Sequence, residues 1–195
     1  MATLTRDRII DRGLDLLTQV GFSGITLGVL AKKVGMSKSG LFAHFRSKEQ
    51  VQLALLQHSA EVAGAHVVAP AMQEPEGLPR LKSIVHHWFG WTTRAGLRGG
   101  CPVAAAMFEL DDLQGEVRAK AVEMEAYWRG FLAQNVREAV WSGHLRVDLD
   151  VDQFVWELCG IYLMHHASRR FIRDAASDSR ASVAFESLLT RSRKE

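Results

Sequence analysis

Lys38, Ser39, Gly40 and His44 are small or hydrogen-bonding residues crowded onto one short segment. On the outward side of a short helix, such a set suits entry into a DNA major groove about 12 Å wide. A second group is aromatic. Trp88, Trp91 and Trp128 fall on the inward stripes of two long amphipathic segments, and Met107, Phe108 and Tyr162 are positioned to join them. An apolar, ring-lined space with a few polar groups is what a small-molecule pocket requires, and ordinary core packing uses the same residues. A third group is acid–base: the pairs His86-His87 and His165-His166, with Glu109 and Glu157. Adjacent helical residues face different ways, so each pair offers one inward imidazole at most. His86 and His165 with Glu109 or Glu157 could hold a metal, but nothing in the spacing demands it; neutral histidines lining a pocket or the surface are the plainer reading, with His165 assigned to the pocket and no metal or cofactor expected.

The elements needed to position these groups are helical. Thr5 is read as capping a first helix with Ile9, Ile10, Leu14, Leu17 and Val20 inward, ended by Gly21. Thr26 caps a second, with Val29, Leu30 and Val34 inward, and Gly35 supplies the turn. Ser37 caps a third, held from behind by Leu41, Phe42 and Phe45, with small Ala31 at the crossing. Ser47, with Gln50 three residues on, forms a capping box for a fourth helix running towards Val67. Pro70, Pro75, Gly77 and Pro79 mark a loop. The fifth helix carries Leu81, Ile84, Val85, Trp88, Trp91, Thr92 and Ala95 on one stripe. Further helices are expected over 103–110, 116–141, 151–172 and 178–190, about nine in all, with no period-two strand pattern.

Composition agrees with an all-α chain. It has 195 residues, 47% hydrophobic and 24% charged, with only 4 prolines. No apolar run reaches the ~20 residues of a membrane span, and the charged N-terminus lacks a signal-peptide stretch. Two cysteines, Cys101 and Cys159, make no disulfide framework and no zinc spacing. A cytoplasmic location is expected, without membrane contact. The net charge of +2 is unevenly divided: residues 1–50 carry eight Lys/Arg against four Asp/Glu, leaving the remainder slightly acidic. A basic head on an acidic body points to a polyanionic partner.

Residues 151–164 are apolar on nearly every side. In so small a chain, such a helix needs a second surface, and a two-fold copy of itself is the simplest one. Phe154, Val155, Leu158 and Ile161 are assigned to that interface, with Gly160 permitting close approach; a central helix of a monomer is the other reading.

The segments Thr26-Leu-Gly-Val-Leu-Ala31 and Gly35-Met-Ser-Lys-Ser-Gly-Leu-Phe-Ala-His-Phe-Arg-Ser-Lys-Glu49 resemble the DNA-binding domain of TetR-family transcriptional regulators. The resemblance implies a three-helix helix-turn-helix domain over residues 1–46 and a helical ligand-binding and dimerisation domain over 47–195. It implies a homodimer on a double-stranded, pseudo-palindromic operator, usually a repressor relieved by a small molecule. Carried over by position, Lys48 is the phosphate-clamping lysine and Thr26 a phosphate-contacting hydroxyl. Lys38, Ser39 and Gly40 read bases, and His44 touches phosphate or a base edge. Phe42 stands where tyrosine is commoner and lacks its hydroxyl; Gly28 stands where a longer side chain is frequent. Arg6 is a further phosphate candidate. Gly99-Gly-Cys-Pro-Val-Ala-Ala-Ala-Met-Phe-Glu109 resembles one large group of TetR-type bodies. It puts Cys101 at a helix N-terminus, where a thiolate is favoured and a redox or electrophile sensor becomes possible.

The function expected is therefore a ligand-responsive DNA-binding regulator, not an enzyme. Its pocket is assigned to Trp88, Trp91, Cys101, Met107, Phe108, Trp128, Tyr162 and His165, and its effector is apolar or aromatic, or acts by thiol modification. Two rivals are a small-molecule sensor or carrier without DNA binding, and a helical metal or thiol enzyme.

Overall fold

The computed structural model describes residues 2–193, with side chains from Arg6 onward. Eleven α-helical segments follow one another among the described residues. They are α1 (Ala2–Gly24), α2 (Leu27–Val34), α3 (Lys38–Phe42), α4 (Lys48–Ala63), α5 (Ala69–Ala71) and α6 (Leu78–Trp88), then α7 (Trp91–Arg94), α8 (Pro102–Glu109), α9 (Glu116–Trp141), α10 (Val151–Ala167) and α11 (Ser177–Ser192). Gly64–Val68 and Ser168–Ile172 are π-helical turns. No strand occurs among the described residues, only an isolated bridge between Leu145 and Arg193. No helix of the described chain is long and apolar enough to cross a membrane.

The chain forms two compact units. The first joins residues 1–63 to 92–125; the second joins 64–91 to 126–195. This division differs from the boundary after residue 46 expected from the motif. The reason lies in the packing of α8, which lies against α1 and α4 in the first unit. Its core holds Ile9, Leu14, Leu17, Phe22, Leu30, Leu41, Phe45, Leu55 and Leu56 together with Ala106 and Leu110.

Local chemistry sets the breaks. Gly21 interrupts α1 at φ 70°, ψ −179°, as expected, although the chain makes one more turn to Gly24. Thr5 lies within α1, which begins at Ala2, so it does not start the helix; its side chain lies outside the described residues. The fifth helix expected from the sequence is two helices. It stops at Trp88 because Gly90 adopts a positive φ of 74°, and Trp91 starts α7. Thr92 and Ala95 therefore do not continue the Trp88 stripe. The short α5 and α7 account for the excess over nine helices.

Candidate functional site

A five-residue helix such as α3 does not stand by itself, because nucleating the first turn costs more than one or two hydrogen bonds return. Here its position comes from both ends and from behind. Thr26 caps α2, its Oγ1 accepting the Val29 N–H at 3.1 Å. At the other end Gly35 is left-handed (φ 74°, ψ 33°). Its N–H donates to the Lys32 carbonyl and the Met36 N–H to the Ala31 carbonyl, a Schellman closure. Ser37 then caps α3, its Oγ accepting the Gly40 N–H at 3.0 Å. Behind the helix Leu41 and Phe45 are fully buried, each contributing about 1.5–3 kcal/mol. Phe42, expected to help hold α3 from that side, instead stands 42% exposed.

With that rear face fixed, Lys38 and Ser39 are exposed, Gly40 and His44 half-buried, and Phe42 presents its ring outward. A Cβ at Gly40 would come within 3.1 Å of the Ser37 Oγ that caps the helix. Gly40 thus protects the cap as well as leaving room on the outer face. Thr26 is exposed, and its hydroxyl keeps its own proton for an acceptor such as a phosphate oxygen.

The start of α4 adds a cation. Ser47 Oγ accepts the Gln50 N–H at 3.1 Å, while Gln50 Oε1 accepts from the Arg46 N–H rather than from Ser47. Lys48 is exposed, and its Nζ donates to the Ser23 carbonyl at 3.3 Å. Arg6 lies with its guanidinium 5.3 Å from the centroid of the Phe45 ring.

The segment bearing the Gly-Gly-Cys-Pro signature grips the end of α1 within the same unit. Arg98 donates from its backbone N–H and guanidinium to Asp15, and holds that carboxyl below its ordinary value. Gly100 N–H donates to the Thr18 carbonyl at 3.1 Å. A Cβ on Gly99 would stand 1.8 Å from that same carbonyl oxygen, so only glycine fits. Glu109 Oε2 accepts from the Ser23 N–H (3.2 Å) and hydroxyl (3.3 Å). Cys101 precedes α8 and is only 8% exposed, so its thiol is covered by its own protomer. Met107 is half-buried, and Phe108 stands 68% exposed on α8 rather than inside a pocket.

The second unit gathers Trp88, Trp128, Tyr162 and His165, four of the expected pocket residues. Trp88 stacks on Tyr162 (centroids 4.0 Å apart, 12° between planes), and Trp128 meets Trp88 edge-on at 5.1 Å. Three more rings complete the group: Phe131, in line with Trp128 by helical spacing, His166 of the second histidine pair, and Phe89, which the spacing did not reach. Phe131 stacks on Trp128, Phe89 stacks on His165 at 5.1 Å, and His166 lies 6.4 Å from Tyr162. Phe89 sits just past the end of α6, where helical spacing no longer applies. Trp91 is buried at the start of α7. His165 Nε2 pairs with Asp178 Oδ1 at 2.7 Å, and Arg169 holds the same carboxylate at 2.9 Å. Burial pushes the His166 imidazole down to about 4, with Arg170 and His165 adding to the shift, so it is neutral at pH 7. Glu109, Glu157 and His165 are bound to Ser23, Arg191 and Asp178 respectively.

On α10 the expected interface residues face inward. Leu158 is 0% exposed and Phe154 and Val155 are equally enclosed by their own protomer; Ile161 is half-buried. The outward stripe is instead Trp156 (63% exposed), Gly160 and Met164 (55%). On α11 Val183 is also exposed, along an open groove shared with Ser187 and Thr190. Cys159 is buried.

A family model described as bacterial regulatory proteins of the tetR family matches residues 9–55. Another, described as the C-terminal domain of tetracyclin repressor-like proteins, matches residues 77–185. The chain is 28% identical over 153 residues to the transcriptional regulator AcuR of Cereibacter sphaeroides, covering 77% of this chain and 69% of that one. A TetR transcriptional regulator from Chloroflexus aurantiacus J-10-FL shares the fold with a TM-score of 0.84, at 22% identity over 96% of this chain and 93% of its own. AibR, solved in complex with isovaleryl coenzyme A and operator DNA, does so with a TM-score of 0.72, at 20% identity over 92% and 97%.

Proposed function

This chain belongs to the TetR family of bacterial regulatory proteins, and from that premise we propose that it works as a homodimeric repressor released by a small aromatic effector. It is a ligand-responsive, DNA-binding transcriptional regulator. The DNA face consists of Lys38, Ser39, Gly40 and His44 on and beside α3, with Thr26, Phe42 and Lys48 at its edges. Phosphate contacts from Thr26 and Lys48 set position, and base contacts from α3 set sequence. One observation carries this reading: α3 and the turn that follows it bury Leu41 and Phe45 and leave Lys38 and Ser39 exposed.

Two such faces are paired through α10 and α11, with Trp156, Gly160, Met164 and Val183 covered by the same residues of a second copy. An exposed Trp and Met on one stripe favour that role. The effector is received by the aromatic group of the second unit, around Trp88, Trp128 and Tyr162. AibR holds an acyl-coenzyme A and operator DNA in one complex, which supports joint use of this fold by effector and operator. Release from the operator follows if the effector favours the conformation that binds the operator less well. We assign the chain no catalytic step, and a cytoplasmic place of work.

The test is selection of bound duplexes from a random pool by the full chain. The expected product is a pseudo-palindrome whose half-sites lie about 10–10.5 base pairs, or a multiple, apart. Failure to enrich any sequence would contradict the reading.

A further inference from the structure

Three helices each bring one large ring to the same place in the second unit: Trp88 ends α6, Trp128 lies on the part of α9 that belongs to that unit, and Tyr162 lies on α10. Their rings touch, and Phe131 and Phe89 extend the group on either side. Apolar rings need no partner, but an indole also carries one N–H donor and no acceptor. The Trp128 Nε1 is enclosed by protein and has no hydrogen-bond partner. Buried donors are nearly always matched, because an unmatched one forfeits its bond to water without replacement. The nearby edge-on face of Trp88 offers at most a weak N–H to ring contact.

The surroundings limit what can complete the donor. His165 is occupied by Asp178, which also holds Arg169. His166 carries no charge at neutral pH, because it is buried. Burying a net charge against such walls is costly, whereas a flat uncharged ring is accommodated by stacking.

We propose that the Trp128 indole N–H is the recognition donor of the effector site. The effector class is an uncharged, planar aromatic molecule bearing a hydrogen-bond acceptor such as a ring-attached carbonyl. This rests on the reading of the second unit as the effector-binding part. The acceptor relieves the unmatched donor only when the ligand is bound, so it distinguishes effector from mere hydrocarbon.

The experiment titrates the full-length protein with three probes of nearly one shape, followed by tryptophan fluorescence and equilibrium dialysis. The probes are 2-acetylnaphthalene, 2-ethylnaphthalene and 2-naphthoate. The ketone is expected to bind at least about tenfold tighter than the hydrocarbon, as one buried hydrogen bond would give. The carboxylate is expected to bind most weakly. Trp128→Phe should bring the ketone-to-hydrocarbon ratio close to one while circular dichroism is unchanged. If that variant misfolds, β-(3-benzothienyl)alanine at position 128 keeps the shape and removes only the donor. An equal affinity for ketone and hydrocarbon in the unaltered protein, a ratio unaffected by losing the donor, a preference for the carboxylate, or no binding of any probe would overturn the proposal. Duplex selection run alongside separates the failures. If a duplex is enriched and the probes fail, only this proposal falls; if no duplex is enriched, the regulator reading falls too.

Discussion

Arg98 closes on Asp15 with both its backbone N–H and its guanidinium, tying the segment before α8 to the middle of α1. Two further ties flank it, Gly100 to Thr18 and Glu109 to Ser23. Lys33 of α2 lies 3.8 Å from the same Asp15 carboxylate, so the pair also reaches the helix-turn-helix. Asp15 is the charge on which the grip depends.

Replacing Arg98 with Ala should lower the melting temperature at neutral pH and leave the helical content unchanged. The hydrogen bonds from Arg98 hold the Asp15 carboxyl below its ordinary 3.8. A lowered carboxyl pKa stabilises the fold above 3.8, and that contribution vanishes as pH falls through the lowered value. The gap between the unaltered protein and Arg98→Ala should therefore be full at pH 6 and close in stronger acid. Thermal melts across pH check it; a gap that is constant with pH would assign the loss to packing.

Lys48→Ala should weaken binding to every duplex alike. One phosphate contact fewer reduces the slope of log K against log salt by about one unit. Because Lys48 also donates to the Ser23 carbonyl, a stability check belongs with the salt titration. An unchanged slope would take Lys48 off the DNA.

His166 should make stability fall in mild acid. Its imidazole is shifted from the ordinary 6.5 down to about 4 by burial. Above 6.5 both folded and unfolded forms are neutral and nothing changes. Between 6.5 and 4 only the unfolded chain takes up the proton, so the folded state loses up to about 3 kcal/mol. Urea unfolding at pH 7 and 4.5 measures this, and His166→Phe should flatten that part of the profile.

Trp156→Asp should separate the protomers without unfolding them. The ring is largely exposed in the single chain, so its loss opens no cavity there. Sedimentation should report a monomer, and operator affinity should drop by about two to four decades as avidity is lost. A dimer that persists would move the interface off α10.

The helix-turn-helix was legible because its signals are local. Thr26, Gly35 and Ser37 act through atoms three to five residues away, and each performs the capping or turn its type suggests. The dimer face was less legible. A helix apolar all round does not reveal which stripe its own protomer covers, so Phe154 and Leu158 looked as available as Trp156 until α10 was packed. The aromatic group was half legible: Trp88, Trp128 and Tyr162 follow helical spacing, whereas Phe89 follows a helix end set by Gly90. The ties from Arg98 and Glu109 to α1 span more than eighty residues of sequence, and no local pattern announces them.

The most direct measurement is a competition titration of the selected duplex against duplexes altered at each position, for the unaltered protein and for Lys38→Ala. The account predicts that Lys38→Ala loses about 1–3 kcal/mol of discrimination at one or two positions, symmetrically in both half-sites, and nothing elsewhere. Uniform weakening at all positions, or a loss confined to one half-site, would contradict it.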